Sequence, residues 1–280
     1  MQLNSNLKDG KPIVSFEDVF YSHPNGNVAL KGVNFSLRQS EVLAILGSNG
    51  AGKTTLVRHI NGLLKPTRGK VSVFGEDTKQ LSSAQLSRRV GIVFQNPNNQ
   101  LFAQSVRKEI EFGLRNFGFS EDILKKRVES ALNDFSLLDY ADRPPMELSG
   151  GEKKRLCIAL VLAWDPDILI LDEPTVGQDS EQKEKLSEMT RLLQSQNKNV
   201  ILVTHDVEFV WPLQPRIILM ANGLIVADGT SQAVLSDSDF TNRADVLAPQ
   251  LVDFSKLMGF LKPFPSAPFE AEKILRIEHG

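Results

Sequence analysis

The sequence is poor in the features that stabilise or anchor secreted and membrane-spanning proteins. It has one cysteine, Cys157, in 280 residues, so no disulfide bond can form within the chain, which fits a reducing compartment. Its most apolar stretches, residues 158–164 and 168–171, are separated by Asp165 and Asp167 and are far shorter than the about 20 residues that span a bilayer. We therefore expect any work at a membrane to be done from its surface or through a partner.

A strong excess of either charge is also missing. The 32 basic and 34 acidic side chains leave a net charge of -2, so we expect no nucleic-acid partner. Residues 1–12 are polar and lack the apolar core of a secretory signal. What the chain has is an ordinary globular composition, 41% hydrophobic and 24% charged, and a length that can bury a large core in one or two domains.

The most informative stretch is a glycine-rich loop. Residues 47–55 read GSNGAGKTT and stand between an apolar run, residues 42–46, and a helix-like run, residues 56–64. This is the strand–loop–helix context of a phosphate loop, in which glycines let successive N–H groups turn toward an anion at the positive end of a helix. An ordinary glycine-rich turn is the alternative, and the complete GxxxxGK[ST] pattern argues against it.

We predict that this loop binds the phosphates of a nucleotide. Lys53 is expected to reach the β- and γ-phosphates, and the Thr54 hydroxyl is expected to ligate Mg²⁺. The predicted nucleotide contacts in the loop are Gly47, Ser48, Asn49, Gly50, Ala51, Gly52, Lys53, Thr54 and Thr55.

Two acids end a predicted strand further along the chain. Residues 168–173 read ILILDE, and the apolar part is typical of a strand buried on both faces of a parallel sheet. Asp172 is placed to hold Mg²⁺ beside Thr54, and Glu173 is placed to polarise an attacking water. A surface turn would explain such a pair in isolation, but its position downstream of a phosphate loop favours the catalytic interpretation.

A second loop suited to anion binding reads LSGGE, residues 148–152. Ser149 and the N–H groups of Gly150 and Gly151 stand at the start of a predicted helix, where anions bind. The same segment also suits a capping box between Ser149 and Glu152, and both interpretations can hold together. Because one chain cannot easily fold both loops onto one γ-phosphate, we expect a dimer in which each chain supplies one of them.

Gln95 and His205 each follow a predicted strand. The Gln95 amide oxygen is placed to touch Mg²⁺ or water, and His205 is placed to contact a γ-phosphate. An isolated glutamine is uninformative, however, and an isolated histidine is more often structural than catalytic. We give His59 and His279 only a structural interpretation.

Strand and helix patterns divide the chain into blocks. The N-terminal part is strand-rich, with an edge strand at 13–19, whereas residues 96–163 are helix-rich. Strand and helix alternate over residues 165–236, which predicts an α/β core. Beyond residue 240 several prolines occur among scattered apolar residues, and we predict there a short helix at 251–260 in an otherwise loop-rich tail.

With these motifs in order, the chain resembles the ATPase subunits of ABC transporters over residues 13–236. The resemblance covers the Walker A loop, the Q-loop glutamine, the LSGGE signature, Walker B, the D-loop around residues 177–179 and the switch histidine. It implies that ATP and Mg²⁺ bind and that ATP is hydrolysed in a dimer. The residues that it places in catalysis are Glu173, His205 and Gln95, and those that it places near Mg²⁺ are Thr54, Gln95 and Asp172.

The resemblance also implies an α/β fold of a particular kind. An ABC-type P-loop domain, residues 11–238, would have a RecA-like core, an antiparallel β-subdomain and an inserted α-helical subdomain at about residues 96–163. A small C-terminal extension, residues 239–280, would help to hold two ATPase chains together as a homodimer or heterodimer.

One segment narrows the resemblance within that superfamily. Residues 94–113, FQNPNNQLFAQSVRKEIEFG, are similar to the Q-helix of the ATPases of energy-coupling factor (ECF) importers for vitamins and transition-metal ions. This implies a peripheral protein at the cytoplasmic face of the membrane. It would contact a transmembrane subunit through residues 96–110 and a substrate-binding membrane subunit indirectly. Gln100, Leu101 and Phe102 would be central to that contact, unless Leu101 and Phe102 are simply buried.

Some positions depart from the family pattern. The ring that stacks on adenine is usually a tyrosine, but His23 stands at that position, so Tyr21 remains a rival. Arg107 and Lys108 stand where acids are common, although Glu109 keeps one, and this leaves the charge pairing with the membrane partner open.

Two other functions stay open on the sequence. The first is the ATPase subunit of another class of ABC importer, and the second is a soluble ABC ATPase in DNA repair, cluster assembly or translation. Soluble members usually carry coiled-coil insertions, tandem cassettes or a basic surface, and none of these is visible in the sequence. Membrane subunits select the substrate in this family, so the ATPase sequence does not name it.

Overall fold

The computed structural model describes residues 12–278, with side chains to residue 275. Residues 1–11 and His279 lie outside the described residues. The first of these segments is most of the polar N-terminus in which no secretory signal is predicted. The strands are β1 (Val14–Ser22), β2 (Val28–Leu37), β3 (Val42–Leu46), β4 (Arg68–Val73), β5 (Glu76–Asp77), β6 (Val90–Val93), β7 (Ile168–Asp172), β8 (Asn199–Val203), β9 (Arg216–Ala221) and β10 (Leu224–Thr230). The helices are α1 (Lys53–Ile60), α2 (Ser83–Ser87), α3 (Val106–Asn116), α4 (Glu121–Asp134), α5 (Gly150–Leu162), α6 (Ser180–Ser195), α7 (Val207–Val210), α8 (Ser231–Val234), α9 (Ser238–Ala244), α10 (Gln250–Leu257) and α11 (Pro268–Glu278).

The strands form two sheets, and the predicted α/β fold is confirmed. A six-stranded sheet has the order β10-β9-β3-β8-β7-β6, with parallel pairing from β9 through to β6 and an antiparallel β10 at one edge. A four-stranded antiparallel sheet has the order β2-β1-β4-β5. The prediction of an edge strand at 13–19 is wrong, because β1 pairs with β2 on one side and with β4 on the other.

The central strands of the six-stranded sheet are buried on both faces, as the continuous apolar run of residues 168–171 predicted for β7. Every residue of β3, β7 and β8 is buried. Alternate residues point to opposite faces of a strand, and the core divides accordingly. Leu43 and Ile45 pack with the antiparallel sheet and α1, whereas Ala44 and Leu46 pack with the helices. The sheet therefore lies between two separate hydrophobic layers, which fix the positions of the loops at the carboxyl ends of its strands.

Helix boundaries follow local capping. The helix predicted at 56–64 begins earlier, at Lys53, because the last residues of the glycine-rich loop already form its first turn, and it ends before Gly62, whose φ is 73°. The helix-rich middle of the chain consists of α3, α4 and α5, which pack on one another. Ser105 caps α3 by accepting a hydrogen bond from the Lys108 N–H.

The short helix predicted at 251–260 is confirmed as α10, but the prediction of an otherwise loop-rich tail is wrong. The tail also contains α9 and α11, and two of its prolines stand at helix starts, with Pro249 as the N-cap of α10 and Pro268 as the first residue of α11. Proline suits these positions because no intrahelical donor is needed there. The tail docks on the core: the Trp211 indole N–H donates to the Pro265 carbonyl (2.9 Å), and Val252 is fully buried. Among the described helices, none combines the length and apolar character that crossing a bilayer requires.

Candidate nucleotide-binding site

The glycine-rich loop joins β3 to α1, as predicted from the sequence. Gly47, Gly50 and Gly52 have φ of 149°, 82° and 105°, a range that side chains rarely adopt. A Cβ atom at Gly47 would lie 2.2 Å from the Met220 carbonyl oxygen, and one at Gly52 would lie 2.6 Å from the Ala29 carbonyl oxygen. The loop is thus held tightly from behind by β9 and β2, while a Cβ at Gly50 would meet nothing within 4 Å.

The ammonium of Lys53 is folded into this loop. Its Nζ donates to the carbonyl oxygens of Gly47 (2.6 Å) and Ser48 (3.1 Å), and the residue is buried. Burial lowers the pKa of Lys53, while the nearby Glu173 and Asp172 raise it. A cation held inside a loop of N–H groups at the start of a helix provides a site for phosphate.

A polar cavity opens over the loop and collects several of the predicted residues. Its walls are formed by the loop together with His23, Gln95 and Glu173, among other residues. The predicted residues that line it are His23, Asn49, Gly50, Ala51, Gly52, Lys53, Thr54, Thr55, Gln95 and Glu173. Three other predicted residues do not line the cavity. Gly47 and Ser48, the first two residues of the loop, accept hydrogen bonds from Lys53 through their carbonyl oxygens, and Asp172 accepts a hydrogen bond from the Thr54 hydroxyl.

The three residues predicted to hold Mg²⁺ come from three neighbouring elements. The Thr54 hydroxyl donates to Asp172 Oδ2 (3.0 Å), and Gln95 reaches the same cavity from the end of β6. Asp172 Oδ1 is buried and finds no hydrogen-bond partner among residues 12–278, and burial raises the pKa of this carboxyl group. A buried carboxylate oxygen without a partner, beside a hydroxyl, fits a divalent cation. The donor set therefore suits Mg²⁺.

Glu173 is held in a defined orientation at the edge of the cavity. Its φ is 48°, an uncommon conformation for a residue other than glycine and one that often marks functional sites. Its Oε2 accepts a hydrogen bond from the Thr204 hydroxyl (3.2 Å), and His205 Nδ1 lies 3.0 Å from the carboxylate. Two of the three predicted catalytic residues, Glu173 and His205, are thus in contact. Thr204 was missed, because a threonine between a strand and a histidine has no distinctive signal of its own.

The LSGGE loop lies outside the cavity of its own chain. Ser149 caps α5 in a capping box: its N–H donates to Glu152 Oε2 (2.7 Å), and its hydroxyl accepts from the Glu152 N–H (3.4 Å). Gly150 is exposed, and neither glycine of the loop lines the cavity. A hydrogen bond from Tyr140 lowers the pKa of Glu152, a contact that sequence analysis missed. The capping interpretation is confirmed, and Ser149, Gly150 and Gly151 do not line the cavity that contains the chain's own Lys53.

His23, and not Tyr21, lines the cavity. Tyr21 belongs to β1 and packs edge-to-face between the rings of His59 and His23, with centroid distances of 4.9 and 5.0 Å. The Tyr21 ring therefore supports His23 from the side. His59 is fully buried, and its Nδ1 lies 2.8 Å from the Thr55 carbonyl oxygen, so its position agrees with the structural interpretation.

Replacing His23 with alanine is expected to raise the KM for ATP about 3- to 10-fold and to change kcat by less than about twofold, because stacking on the base is made equally before and during the reaction. Steady-state hydrolysis over a range of ATP concentrations measures both constants. Tyr21→Phe, which keeps the ring that supports His23, is the control and should match the parent. An unchanged KM in the His23 variant would remove this residue from the adenine site.

The segment predicted to meet a membrane partner separates into buried and exposed residues. Leu101 is buried, so its predicted central role in that contact is wrong, whereas Phe102 is 64% exposed and packs edge-to-face against Phe112 (4.8 Å). Both phenylalanines line an apolar groove beside Trp164. Glu109 is not an exposed acid: it is buried, and its Oε2 accepts from the N–H groups of Phe102 (2.8 Å) and Ala103 (2.7 Å). Glu109 therefore shapes the loop that presents Phe102.

Comparison with known proteins shows the family and the fold. The family model described as ABC transporter matches residues 30–176. The energy-coupling factor transporter ATP-binding protein EcfA of Methanococcus maripaludis is 40% identical over 248 residues, which cover 88% of this chain and 89% of the relative. The structure of cbiO1 from Clostridium perfringens, part of the ABC transporter complex cbiONQ, superposes with a TM-score of 0.72 at 35% identity and covers 89% of this chain and 99% of its own. A dimeric, post-hydrolysis structure of the ATP-binding cassette MJ0796 bound to ADP and Pi gives a TM-score of 0.71 at 30% identity, covering 78% and 98%.

Proposed function

Because the chain belongs to the family of ABC transporter ATPases, with relatives among the ECF ATP-binding proteins, we propose that it hydrolyses ATP to power an ECF-type importer for a vitamin or a transition-metal ion. The observation that carries this proposal is the convergence of Lys53, Thr54 and Glu173 on one cavity, with Asp172 hydrogen-bonded to Thr54 and His205 in contact with Glu173 outside the cavity lining.

The phosphates of ATP bind in the glycine-rich loop. Its N–H groups and the positive end of α1 attract the anion, and Lys53 leaves its two loop carbonyls to meet the β- and γ-phosphates. Thr54, Asp172 and Gln95 would hold Mg²⁺, which when bound supplies positive charge against the phosphate oxygens. His23 stacks on the adenine.

Hydrolysis requires a base beside the γ-phosphate. Glu173 fits this role, because its carboxylate lines the cavity and is oriented from behind by the Thr204 hydroxyl. It accepts a proton from the attacking water and aligns that water with the phosphorus. His205, with 63% of its side chain exposed, contacts the Glu173 carboxylate from outside the cavity lining and would meet the γ-phosphate from there, whereas Gln95 lines the cavity itself. These residues act together, so the loss of one weakens the others.

The site is completed by a second ATPase chain. Ser149, Gly150 and Gly151 lie outside the lining of the chain's own cavity, so the Ser149 hydroxyl and the N–H groups of Gly150 and Gly151 would serve the γ-phosphate bound by a partner. The dimeric MJ0796 cassette supports this arrangement by similarity. The nucleotide-binding domain would comprise residues 11–238, with its helical subdomain at about residues 96–163, and the extension 239–280 would help to hold the dimer.

Mixing two inactive variants tests the shared site. Lys53→Ala removes the phosphate contact, and Ser149→Arg blocks the loop that crosses to the partner. Mixed dimers contain one complete site, so a mixture should regain up to about a quarter of the parent rate, since about half of the dimers are mixed. Lys53→Ala mixed with the Lys53→Ala/Ser149→Arg double variant cannot form a complete site and is the matched control. If the first mixture stays as inactive as this control, copies of this chain do not share sites.

The groove beside Phe102 would receive the transmembrane subunit. Its exposed phenylalanines lie within and beside residues 96–110, the segment that corresponds to the ECF Q-helix, and the loop that carries Phe102 follows directly on Gln95 of the nucleotide site. Closure of the dimer would thus move this surface. The protein would then sit at the cytoplasmic face of the membrane and reach the substrate-binding subunit through the transmembrane one.

Phe102→Asp is expected to abolish co-purification with membrane proteins from detergent-solubilised membranes, because a charge cannot be buried in an apolar groove without a partner. ATP hydrolysis by the isolated dimer should stay within about twofold of the parent, since Phe102 does not contact the cavity. Leu192→Asp, at a residue 57% exposed on α6, is the matched control. Recovery of a small, separately encoded substrate-binding membrane protein with the parent supports the ECF assignment. Absence of any membrane partner would instead favour a soluble ABC ATPase.

A further inference from the structure

Lys154 is a buried, charged residue that has no part in the hydrolysis steps proposed above. Lys154 lies on α5, five residues after Ser149, and is only 3% exposed. The pKa of Lys154 is lowered, because burial lowers it by more than the nearby Asp172 and Glu173 raise it. A lysine is rarely buried in this way unless its ammonium has partners, because desolvation of the charge is costly.

The partners of Lys154 are backbone carbonyls of two catalytic loops. Its Nζ donates to the carbonyl oxygens of Phe94 (3.4 Å), Gln95 (3.3 Å) and Glu173 (3.2 Å). An ammonium has three donors, so the three carbonyls use all of them. Phe94 and Gln95 follow β6, and Glu173 follows the neighbouring parallel strand β7. Lys154 therefore ties together the two strand ends that carry the glutamine and the glutamate of the nucleotide site.

The other end of this connection is the LSGGE loop. Ser149 caps the same helix, and the capping box with Glu152 fixes its position relative to the first turn of α5. The path from Ser149 to Lys154 is thus little more than one helical turn, which is stiff compared with a loop. In the proposed dimer, Ser149 serves the partner's nucleotide, whereas Gln95 and Glu173 serve the chain's own.

We propose that Lys154 is a positioning residue that couples the two nucleotide sites of the dimer. It links the helix that completes one site to the Gln95 and Glu173 backbone of the other. When ATP draws Ser149 toward the partner's phosphate, the shift of α5 passes through the ammonium to both catalytic loops of its own chain. The two sites then become competent together. This inference rests on the proposed function, because it requires a dimer with shared sites.

Lys154→Met tests the coupling, because methionine fills a similar volume and donates no hydrogen bond. In the purified full-length protein we expect kcat to fall at least about 10-fold, while the affinity for ATP stays within about threefold of the parent. The Hill coefficient for ATP hydrolysis should fall from above 1 in the parent to about 1 in the variant, since independent sites show no cooperativity. Lys154→Gln, whose amide keeps two donors but no charge at this position, should retain more of kcat and of the cooperativity than Lys154→Met.

Two further measurements separate a positioning role from a structural one. Lys126→Met makes the same chemical change at an exposed lysine on α4 and should match the parent in all constants. Lys154→Arg keeps the charge, but a planar guanidinium cannot donate to three carbonyls that converge on one point, so this variant should also lower kcat and the Hill coefficient. It keeps the inference testable if Lys154→Met fails to fold.

The outcomes distinguish this inference from the function on which it rests. A parent without ATP hydrolysis would overturn both. The role of Lys154 alone would be overturned if the parent is active and cooperative and the Lys154→Met and Lys154→Arg variants have the same kcat and Hill coefficient as the parent. Equal losses of ATP affinity, thermal stability and kcat in the Met and Gln variants would also overturn it, because they would show that Lys154 only stabilises the fold.

Discussion

Replacing Glu173 with glutamine is expected to leave ATP binding intact and to lower kcat by at least about 100-fold, which is the range for loss of a general base. Glutamine has nearly the same shape and can still pair with Thr204 and His205, which contact the Glu173 carboxylate. Its amide, however, cannot accept the proton of the attacking water. Because the phosphate contacts of Lys53 and the loop are untouched, the variant should bind ATP and remain closed around it.

Two measurements check this expectation. Single-turnover hydrolysis gives the rate of the chemical step, and size-exclusion chromatography with and without ATP and Mg²⁺ shows whether the variant accumulates as a dimer. Glu188→Gln, at an exposed position on α6, is the matched control for the loss of one negative charge. Near-normal turnover in the Glu173 variant would remove Glu173 from its assigned role. An ATP-loaded variant that stays monomeric, with a parent that is active at high dilution, would contradict the shared site.

Replacing Lys53 with alanine is expected to weaken ATP binding at least about 100-fold, or about 2.7 kcal/mol at 1.36 kcal/mol per tenfold change. The Lys53 ammonium lies buried inside the phosphate loop, where low dielectric strengthens its attraction for phosphate. Lys53→Arg should fail almost as completely, because the larger planar guanidinium does not fit between the Gly47 and Ser48 carbonyls that now receive the ammonium.

Equilibrium titration with a fluorescent ATP analogue measures this loss directly. Lys70→Ala, at an exposed lysine on β4, is the matched control because it removes the same charge from a position outside the loop. A thermal unfolding scan without nucleotide should show that the Lys53 variant remains folded. In the parent, ATP should raise the unfolding temperature, and this shift should vanish in the variant, because a ligand stabilises only the state that binds it. Retained affinity in a folded Lys53→Ala variant would overturn the phosphate site.

The features that could be predicted from the sequence are those whose signals are local. The GxxxxGK[ST] loop, the buried run that ends in Asp172 and Glu173, and the capping box at Ser149 each occupy a few consecutive residues. Their backbone conformations are set by neighbours along the chain. Glycines occur where φ is positive, an apolar run occurs where both faces of a strand are covered, and a serine forms a capping box with the glutamate three residues later. The structure confirms the strand, loop or helix context predicted for each of them.

The predictions that are wrong depend on partners far away in the chain. The strand predicted at an edge is central because β4, about fifty residues later, pairs with its free side. Pro249 and Pro268 stand at helix starts rather than in loops because α10 and α11 pack on the core. Phe102 and Leu101 are adjacent in sequence, yet one is exposed and the other buried, because their burial depends on which helices pack over the loop.

By itself, the sequence determined the local motifs of this protein: the glycine-rich loop, the buried strand that ends in two acids and the capped LSGGE loop, because each is encoded by adjacent residues with steric and hydrogen-bonding requirements of their own. Only the tertiary structure decided how they meet. It placed His23 rather than Tyr21 in the cavity, Thr204 and His205 on Glu173, and Lys154 beneath both catalytic loops. These contacts join residues that lie tens of positions apart, and they form only when parallel strands bring their carboxyl ends to one edge of a sheet.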